Sequence, residues 1–217
     1  MIEPMAKRIF DFLSAFAGLV VLAPFLFALS AVILLTLGPP VFFCQRRPGR
    51  GGRIFKIWKF RTMTNDRGAD GTPLPDEMRL TRLGRFLRST SLDEFPELWN
   101  VVNGDMSLVG PRPLLVSYLE RYTPEEARRH EVRPGITGWA QVNGRNATSW
   151  EERLRMDVWY VDHRSFWLDL RILLMTVSIV LNRKGINSPL AATMPELRAR
   201  GGDYPRQGRS NTDNAGP

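Results

Sequence analysis

The longest apolar run in the chain begins at Phe12. No charged residue occurs in residues 12–44, and the densest part, residues 12–38, reads FLSAFAGLVVLAPFLFALSAVILLTLG. Lys7, Arg8 and Asp11 precede it; Arg46, Arg47, Arg50 and Arg53 follow it. As one helix the run would be roughly 40 Å long at ~1.5 Å per residue, against a hydrocarbon core of ~30 Å. It can be a cleaved leader, a spanning helix, or a re-entrant helix that enters and leaves by one face. A leader is disfavoured because the run continues to Leu37, well past the weak small-residue site at Ala28-Leu29-Ser30. Two features favour re-entry. Pro24 sits mid-run, where it removes a backbone hydrogen bond and bends the helix. Basic residues flank both ends, and cytoplasmic flanks are the ones that collect Lys and Arg. A Pro-kinked spanning helix is the plain alternative.

Beyond residue 44 the pattern turns mixed. Pro48-Gly49-Arg50-Gly51-Gly52 predicts a turn between two strand-like runs. In the second run, Phe55, Ile57, Lys59 and Arg61 share one face and Ile54, Lys56, Trp58 and Phe60 the other. Residues 65–76 read as a polar surface loop. Leu80, Leu83 and Leu87 form a helical stripe over residues 79–88. Thr123-Pro124-Glu125-Glu126 and Ser149 with Glu152 are helix starts, and Asn143-Gly144 is a turn signal. Residues 167–182 are mostly apolar but carry Asp169 and Arg171, which suits an interfacial or a core helix rather than a second span. The chain therefore reads as α/β: a helix-rich cytoplasmic domain with a small β-hairpin or sheet, fused to an N-terminal Pro-broken re-entrant membrane helix and interfacial amphipathic helices. The expected division is 1–40 for the membrane helix, 41–187 for the domain carrying the chemistry, and 188–217 for a mobile C-terminal tail.

Composition narrows the chemistry. Of 217 residues, 30 are Lys or Arg and 22 are Asp or Glu, a formal net charge of +8, which points to an anionic partner. A hydrophobic content of 43% excludes wholesale disorder. One cysteine, Cys44, and two histidines, His130 and His163, exclude an intramolecular disulfide framework and argue against a soft-ligand metal site. A hard cation held by carboxylates is compatible with the composition.

The stretch richest in candidate chemistry is RSTSLDEFPELWN, residues 88–100, followed by NGDMSLVGPRP, residues 103–113. Asp93 and Glu94 follow a Ser/Thr run. Ser91 and Glu94 have capping-box spacing, so the commonplace reading is a capped helix start with acids in its first turn. Nearby cations favour a different reading. A carboxylate can attack a phosphoryl centre. A Mg²⁺ ion on its neighbour would neutralise phosphate oxygens, and arginine forks would hold the rest. The candidate cations are Lys59, Arg61, Arg88, Arg112 and Arg145. Arg112 stands out because Pro111 and Pro113 fix the backbone on either side of it.

Three motifs in this order, KFRTM at residues 59–63, SLDE.P.L.NV..GDMSLVGPRP at 91–113 and RPGITGWAQVNGR at 133–145, resemble the small monotopic bacterial phosphoglycosyl transferases, also called bacterial sugar transferases. The resemblance covers about residues 5 to 187. It implies transfer of a phospho-sugar from a UDP-sugar to a polyprenol phosphate, usually undecaprenyl phosphate, with release of UMP. It further implies Mg²⁺, an Asp-Glu dyad and a ping-pong mechanism at the cytoplasmic face of the bacterial plasma membrane. Carried over, Asp93 is the nucleophile and, with Glu94, the metal site; Glu94 is the metal-side carboxylate. Lys59, Arg61, Arg88, Arg112 and Pro113 belong to the phosphate-binding set, and Gln141 and Arg145 face nucleotide or sugar. The small single-domain form resembles the subgroup that often takes N-acetylated amino sugars. Two positions depart from the family pattern. Ala23 precedes Pro24 where the family has serine, and Glu97 stands where glutamine is common.

The partners expected are thus a UDP-sugar, undecaprenyl phosphate and membrane lipid, and no nucleic acid. Charge alone would suit a membrane-tethered nucleic-acid binder, but no such motif is present. A membrane scaffold in which the acidic pair only caps a helix is the other alternative.

Overall fold

The computed structural model describes residues 5–144, 149–182 and Leu197. Helix α1 spans Met5–Leu37, and Pro24 lies inside it without interrupting the element. Among the described residues it is the one helix long and apolar enough to cross a membrane. Only 6% of its most apolar window is buried, so it is not the core helix of a water-soluble body.

Both ends of α1 are fastened to the rest of the chain. At the start, Lys7 Nζ lies 2.6 Å from Asp169 Oδ2, and Ser107 Oγ donates to Asp11 Oδ2 at 2.7 Å. Arg8 donates to the carbonyls of Val101 and Val102. At the far end, Leu29 and Ile33 pack with Phe60 and Leu87. There Arg61 donates to the carbonyls of Leu37, Gly38 and Pro39. Those carbonyls have no partner further along the helix, and a guanidinium supplies enough donors for all three.

Strands β1 (Phe42–Pro48) and β2 (Ile54–Phe60) form the expected antiparallel hairpin, with Phe43 opposite Lys59 and Gln45 opposite Ile57. Residues 76–89 depart from a single stripe: α2 covers Asp76–Arg79 and α3 covers Arg82–Ser89. Thr81 restarts the helix by accepting from Gly84 N at 2.9 Å, and Leu80 leaves the helix to bridge Met63.

Helix α4 (Glu97–Asn103) packs between α1 and β2. Its Asn100 supplies β2 with the strand partner that edge lacks: Trp58 N donates to Asn100 Oδ1 at 3.1 Å, and Asn100 Nδ2 donates to Lys56 O at 2.7 Å. Strand β3 (Ser107–Val109), the short α5 (Pro124–Ala127) and strand β4 (Gly135–Thr137) follow, with β3 and β4 parallel. Gly110 and Gly135 permit that approach. A Cβ on Gly135 would lie 2.1 Å from Gly110 N. Next come α6 (Trp139–Gly144), α7 (Trp150–His163) and α8 (Phe166–Asn182). The turn expected at Asn143-Gly144 is instead the end of α6, where Val142 is buried with Val109, Tyr160 and Ile172. The capping box predicted at Ser149 is present, and the helix start predicted at Thr123 also closes as a capping box with Glu126. Along α8, Phe166, Trp167, Leu174, Val177 and Val180 are exposed while Asp169 and Ile172 are buried.

Of the expected C-terminal tail, only Leu197 is described; it is buried with Leu114, Tyr118 and Leu154. The remainder lies outside the described residues.

Candidate active site

The dyad sits on a 3₁₀ turn, Leu92–Glu94, between α3 and α4. Ser91 enters it at φ 56 and is the one non-glycine residue with positive φ among those described. No side-chain cap forms there, so the capping box expected from Ser91 and Glu94 is absent. A cap residue needs extended backbone, and left-handed Ser91 does not supply it. The conformation costs on the order of 1 kcal/mol, and such strain clusters at functional sites. It leaves the Glu94 side chain available for the cations around it.

Glu94 is held from two directions. Lys59 Nζ donates to its Oε1 at 2.6 Å, and Arg112 closes a fork on both of its oxygens. Burial pushes the Glu94 carboxyl up, but Arg112 and Lys59 outweigh it and hold it below the ordinary carboxylate range. The same contact raises Arg112. Lys59 also lies 3.1 Å from Glu97 Oε1. Glu97 is only 1% exposed, and burial together with Glu94 pushes its carboxyl up to about 7.

Asp93 is different. Among the described residues no hydrogen bond reaches its carboxylate, and it is 9% exposed. Burial, then repulsion from Glu94, raises it to about 6; Lys59, Arg112 and Arg88 pull the other way. One acid of the dyad is therefore saturated by cations, and the other is desolvated and available.

Local backbone places the cations. Lys59 projects from β2, which Asn100 ties to α4. Arg112 follows Gly110, whose N–H donates to Thr137 O at 2.9 Å, and Pro111, whose carbonyl accepts from Gly135 N at 3.1 Å. Arg129 steadies the Arg112 carbonyl at 2.6 Å while paired with Asp157 at 2.7 Å. Arg88 is steadied by Thr62, its Nε donating to Oγ1 at 3.1 Å. Pro113 is buried.

The expected set is thus only partly assembled. Asp93, Glu94, Lys59, Arg88 and Arg112 come together. Arg61 does not: its guanidinium is spent on the carbonyls that end α1. Gln141 lines a cleft that shares Arg112 with the dyad but is not lined by Asp93 or Glu94. Arg145 lies outside the described residues. Glu97 and Arg129 were not among the sequence-derived site residues. Glu97 is one turn from Glu94 on the chain, a spacing that could have drawn it in; Arg129 is remote in sequence and gives no such signal.

The donor set suits a hard divalent cation, since carboxylate oxygens match Mg²⁺ and Asp93 is unengaged. Glu97 Oε1 is buried beside the pair, with Lys59 Nζ 3.1 Å away. Among the described residues no group of three or more His, Cys, Asp or Glu is arranged to hold a metal. A cation here would find Asp93 open, but would reach Glu94 only in exchange for Lys59 or Arg112, and would complete its shell with oxygens of a bound phosphate.

Residues 2–183 match the bacterial sugar transferase family. The chain is 53% identical to the "Uncharacterized sugar transferase EpsL" of Bacillus subtilis, over 90% of this chain and 96% of that one. It is 41% identical to the "UDP-glucose:undecaprenyl-phosphate glucose-1-phosphate transferase" of Xanthomonas campestris pv. campestris, over 83% of this chain and 40% of the relative. To the "UDP-N-acetylgalactosamine-undecaprenyl-phosphate N-acetylgalactosaminephosphotransferase" of Aeromonas hydrophila it is 38% identical, over 82% of this chain and 44% of the relative. The chain spans about two fifths of those two longer relatives. Matched along most of its length by that family, the chain belongs to the bacterial sugar transferases.

Proposed function

We propose that the protein transfers a phospho-sugar from a UDP-sugar to undecaprenyl phosphate, through a covalent aspartyl intermediate on Asp93. The observation that carries this reading is the asymmetry of the dyad: Glu94 is neutralised by Lys59 and Arg112, while Asp93 is buried and free of hydrogen bonds among the described residues. A desolvated carboxylate among cations is a competent nucleophile toward an anionic phosphoryl group.

In the first half-reaction an Asp93 carboxylate oxygen bonds to the phosphorus that bears the sugar. The bond from that phosphorus to the bridging oxygen breaks, and UMP leaves with the electron pair. In the second, a phosphate oxygen of the lipid bonds to the same phosphorus and releases Asp93. Arg88, steadied by Thr62, meets the phosphate oxygens, and Lys59 and Arg112 reach them with the N–H donors that Glu94 leaves over. Glu94, on giving up one of its two cations, would hold Mg²⁺ beside Asp93, and the ion would supply neutralisation of phosphate charge.

Re-entry of α1 is supported by its two fastenings. The Asp11–Ser107 bond at one end and the Arg61 clamp at the other tie both ends to one polar body. A straight crossing would put those ends on opposite sides of a ~30 Å hydrocarbon layer. Re-entry keeps the site on the cytoplasmic face, at the level of lipid headgroups. The exposed apolar face of α8 suits an interfacial helix. Cysteines placed at Met5 and Arg50, after replacing Cys44, test the topology: both label from the cytoplasmic side, and labelling from opposite sides would make α1 a true span.

The relatives' names differ in sugar, glucose in one and N-acetylgalactosamine in another. UMP release from a panel of UDP-sugars, with undecaprenyl phosphate and Mg²⁺, tests the activity and selects the sugar. No release from any donor would refute it.

A further inference from the structure

A cleft of about 180 Å³ opens beside Arg112, lined also by Leu114, Arg129, Ala140, Gln141, Arg153 and Asp157. Its chemistry is uneven. Arg129 and Asp157 are closed on each other and contribute a fixed floor. Leu114 and Ala140 are apolar. The guanidinium of Arg153 stands 5.6 Å from the Trp150 ring, and its pKa is lowered by burial and by the neighbouring Arg112 and Arg129.

Gln141 is the polar group without an internal purpose. Its Nε2 donates to Ile136 O at 3.3 Å, which fixes the orientation of the amide. Its Oε1 is buried and accepts no hydrogen bond among the described residues. Gly138 makes room for that oxygen, since a Cβ there would lie 2.6 Å from it. A buried amide oxygen left without a donor is costly, so a ligand that brings an N–H to it gains correspondingly. The cleft thus asks for a flat, partly apolar ligand with one N–H facing Gln141 and acceptors within reach of guanidinium donors. A cyclic imide has this pattern, an N–H between two carbonyls. A phosphate alone has no donor for Gln141.

We propose that this cleft recognises the uracil ring of the donor nucleotide, with Gln141 Oε1 accepting from the imide N3–H. The inference rests on the UDP-sugar reading, and gives that reading a base-selective site. Arg112 connects the two, gripping Glu94 of the dyad and lining the cleft. Cytosine presents a bare nitrogen acceptor at the same ring position, so two acceptors would face each other. Sites that hydrogen-bond one such edge reject the mismatched one strongly.

The test is calorimetric titration of the full chain in detergent micelles, with Mg²⁺, by UMP, by CMP and by 3-methyluridine monophosphate. Wild type should bind UMP at least about 10-fold more tightly than the other two, which lack the N3–H. Gln141→Met should bring UMP down to their level and leave their binding unchanged within about 2-fold. Its melting temperature distinguishes this from misfolding, and the ligand series on wild type stands without the variant. UMP binding with no preference over 3-methyluridine monophosphate, or a preference that survives Gln141→Met, overturns the base site while UMP release in the donor panel still upholds transfer. Failure to bind UMP at all overturns the base site as well, and the donor panel alone decides transfer.

Discussion

Arg112 presents two guanidinium nitrogens to the two carboxylate oxygens of Glu94, 18 positions earlier in the chain. This pairing decides which acid of the dyad stays free. A lysine at position 112 would keep a positive charge but lose the two-point grip. Arg112→Lys is expected to lower kcat/KM for UMP release by roughly 10- to 100-fold, with the fold retained. An unchanged rate would show that the fork is dispensable.

Asp93 must be ionised to attack. Its carboxyl is raised to about 6, chiefly by burial. The rate of adduct formation should therefore rise as pH increases through about 6 and level off above it. Single-turnover measurements between pH 5 and 8, at saturating Mg²⁺, read this directly, since ~1 unit either side of the transition spans most of the change. A flat profile would remove Asp93 ionisation from the rate.

The same shift bears on stability. A carboxyl raised in the folded state binds more protons there than in the unfolded chain. Its contribution is most favourable at low pH and becomes a cost as pH climbs through about 6. Removing the charge should help the fold at neutral pH. Asp93→Asn is expected to abolish turnover yet melt no lower than wild type, with a gain of up to about 3 kcal/mol at pH 7. Thermal melts at pH 5 and pH 7.5 check the sign: the gain should shrink at the lower pH.

Arg61 separates anchoring from chemistry. It is 6% exposed, and its donors serve the carbonyls of Leu37, Gly38 and Pro39. Arg61→Met should cost on the order of 2 kcal/mol through the carbonyls it strands. Differential scanning fluorimetry should show a melting point several degrees lower, while adduct formation on the remaining folded protein stays within about 3-fold of wild type. A large loss of adduct without loss of stability would return Arg61 to the phosphate-binding set.

The sequence was most legible where local chemistry decides structure. The hairpin, the long apolar helix and the capping boxes at Thr123 and Ser149 all depend on neighbours within a few positions. Ser91 and Glu94 have the same spacing as those two boxes, yet tertiary pairing wins there. Lys59 is 35 positions from Glu94 and Arg112 is 18, and together they outbid a local cap. Asn143-Gly144 fails as a turn for a similar reason, because Val142 is needed in the core. Arg61 and Lys59 share a strand face, so alternation could not tell the anchor from the site residue; only the end of α1 does. Glu97, the departure from the family's glutamine, is resolved in position: it is buried against Lys59, which stands between two acids rather than beside one.

The covalent step admits the most direct test. Intact-protein mass spectrometry of the full chain, after incubation with Mg²⁺ and the accepted UDP-sugar but no lipid, should show a gain equal to one phospho-sugar. Adding undecaprenyl phosphate should discharge it, and Asp93→Asn should never acquire it. Product formed on the lipid with no mass gain at any time of sampling would contradict an aspartyl intermediate.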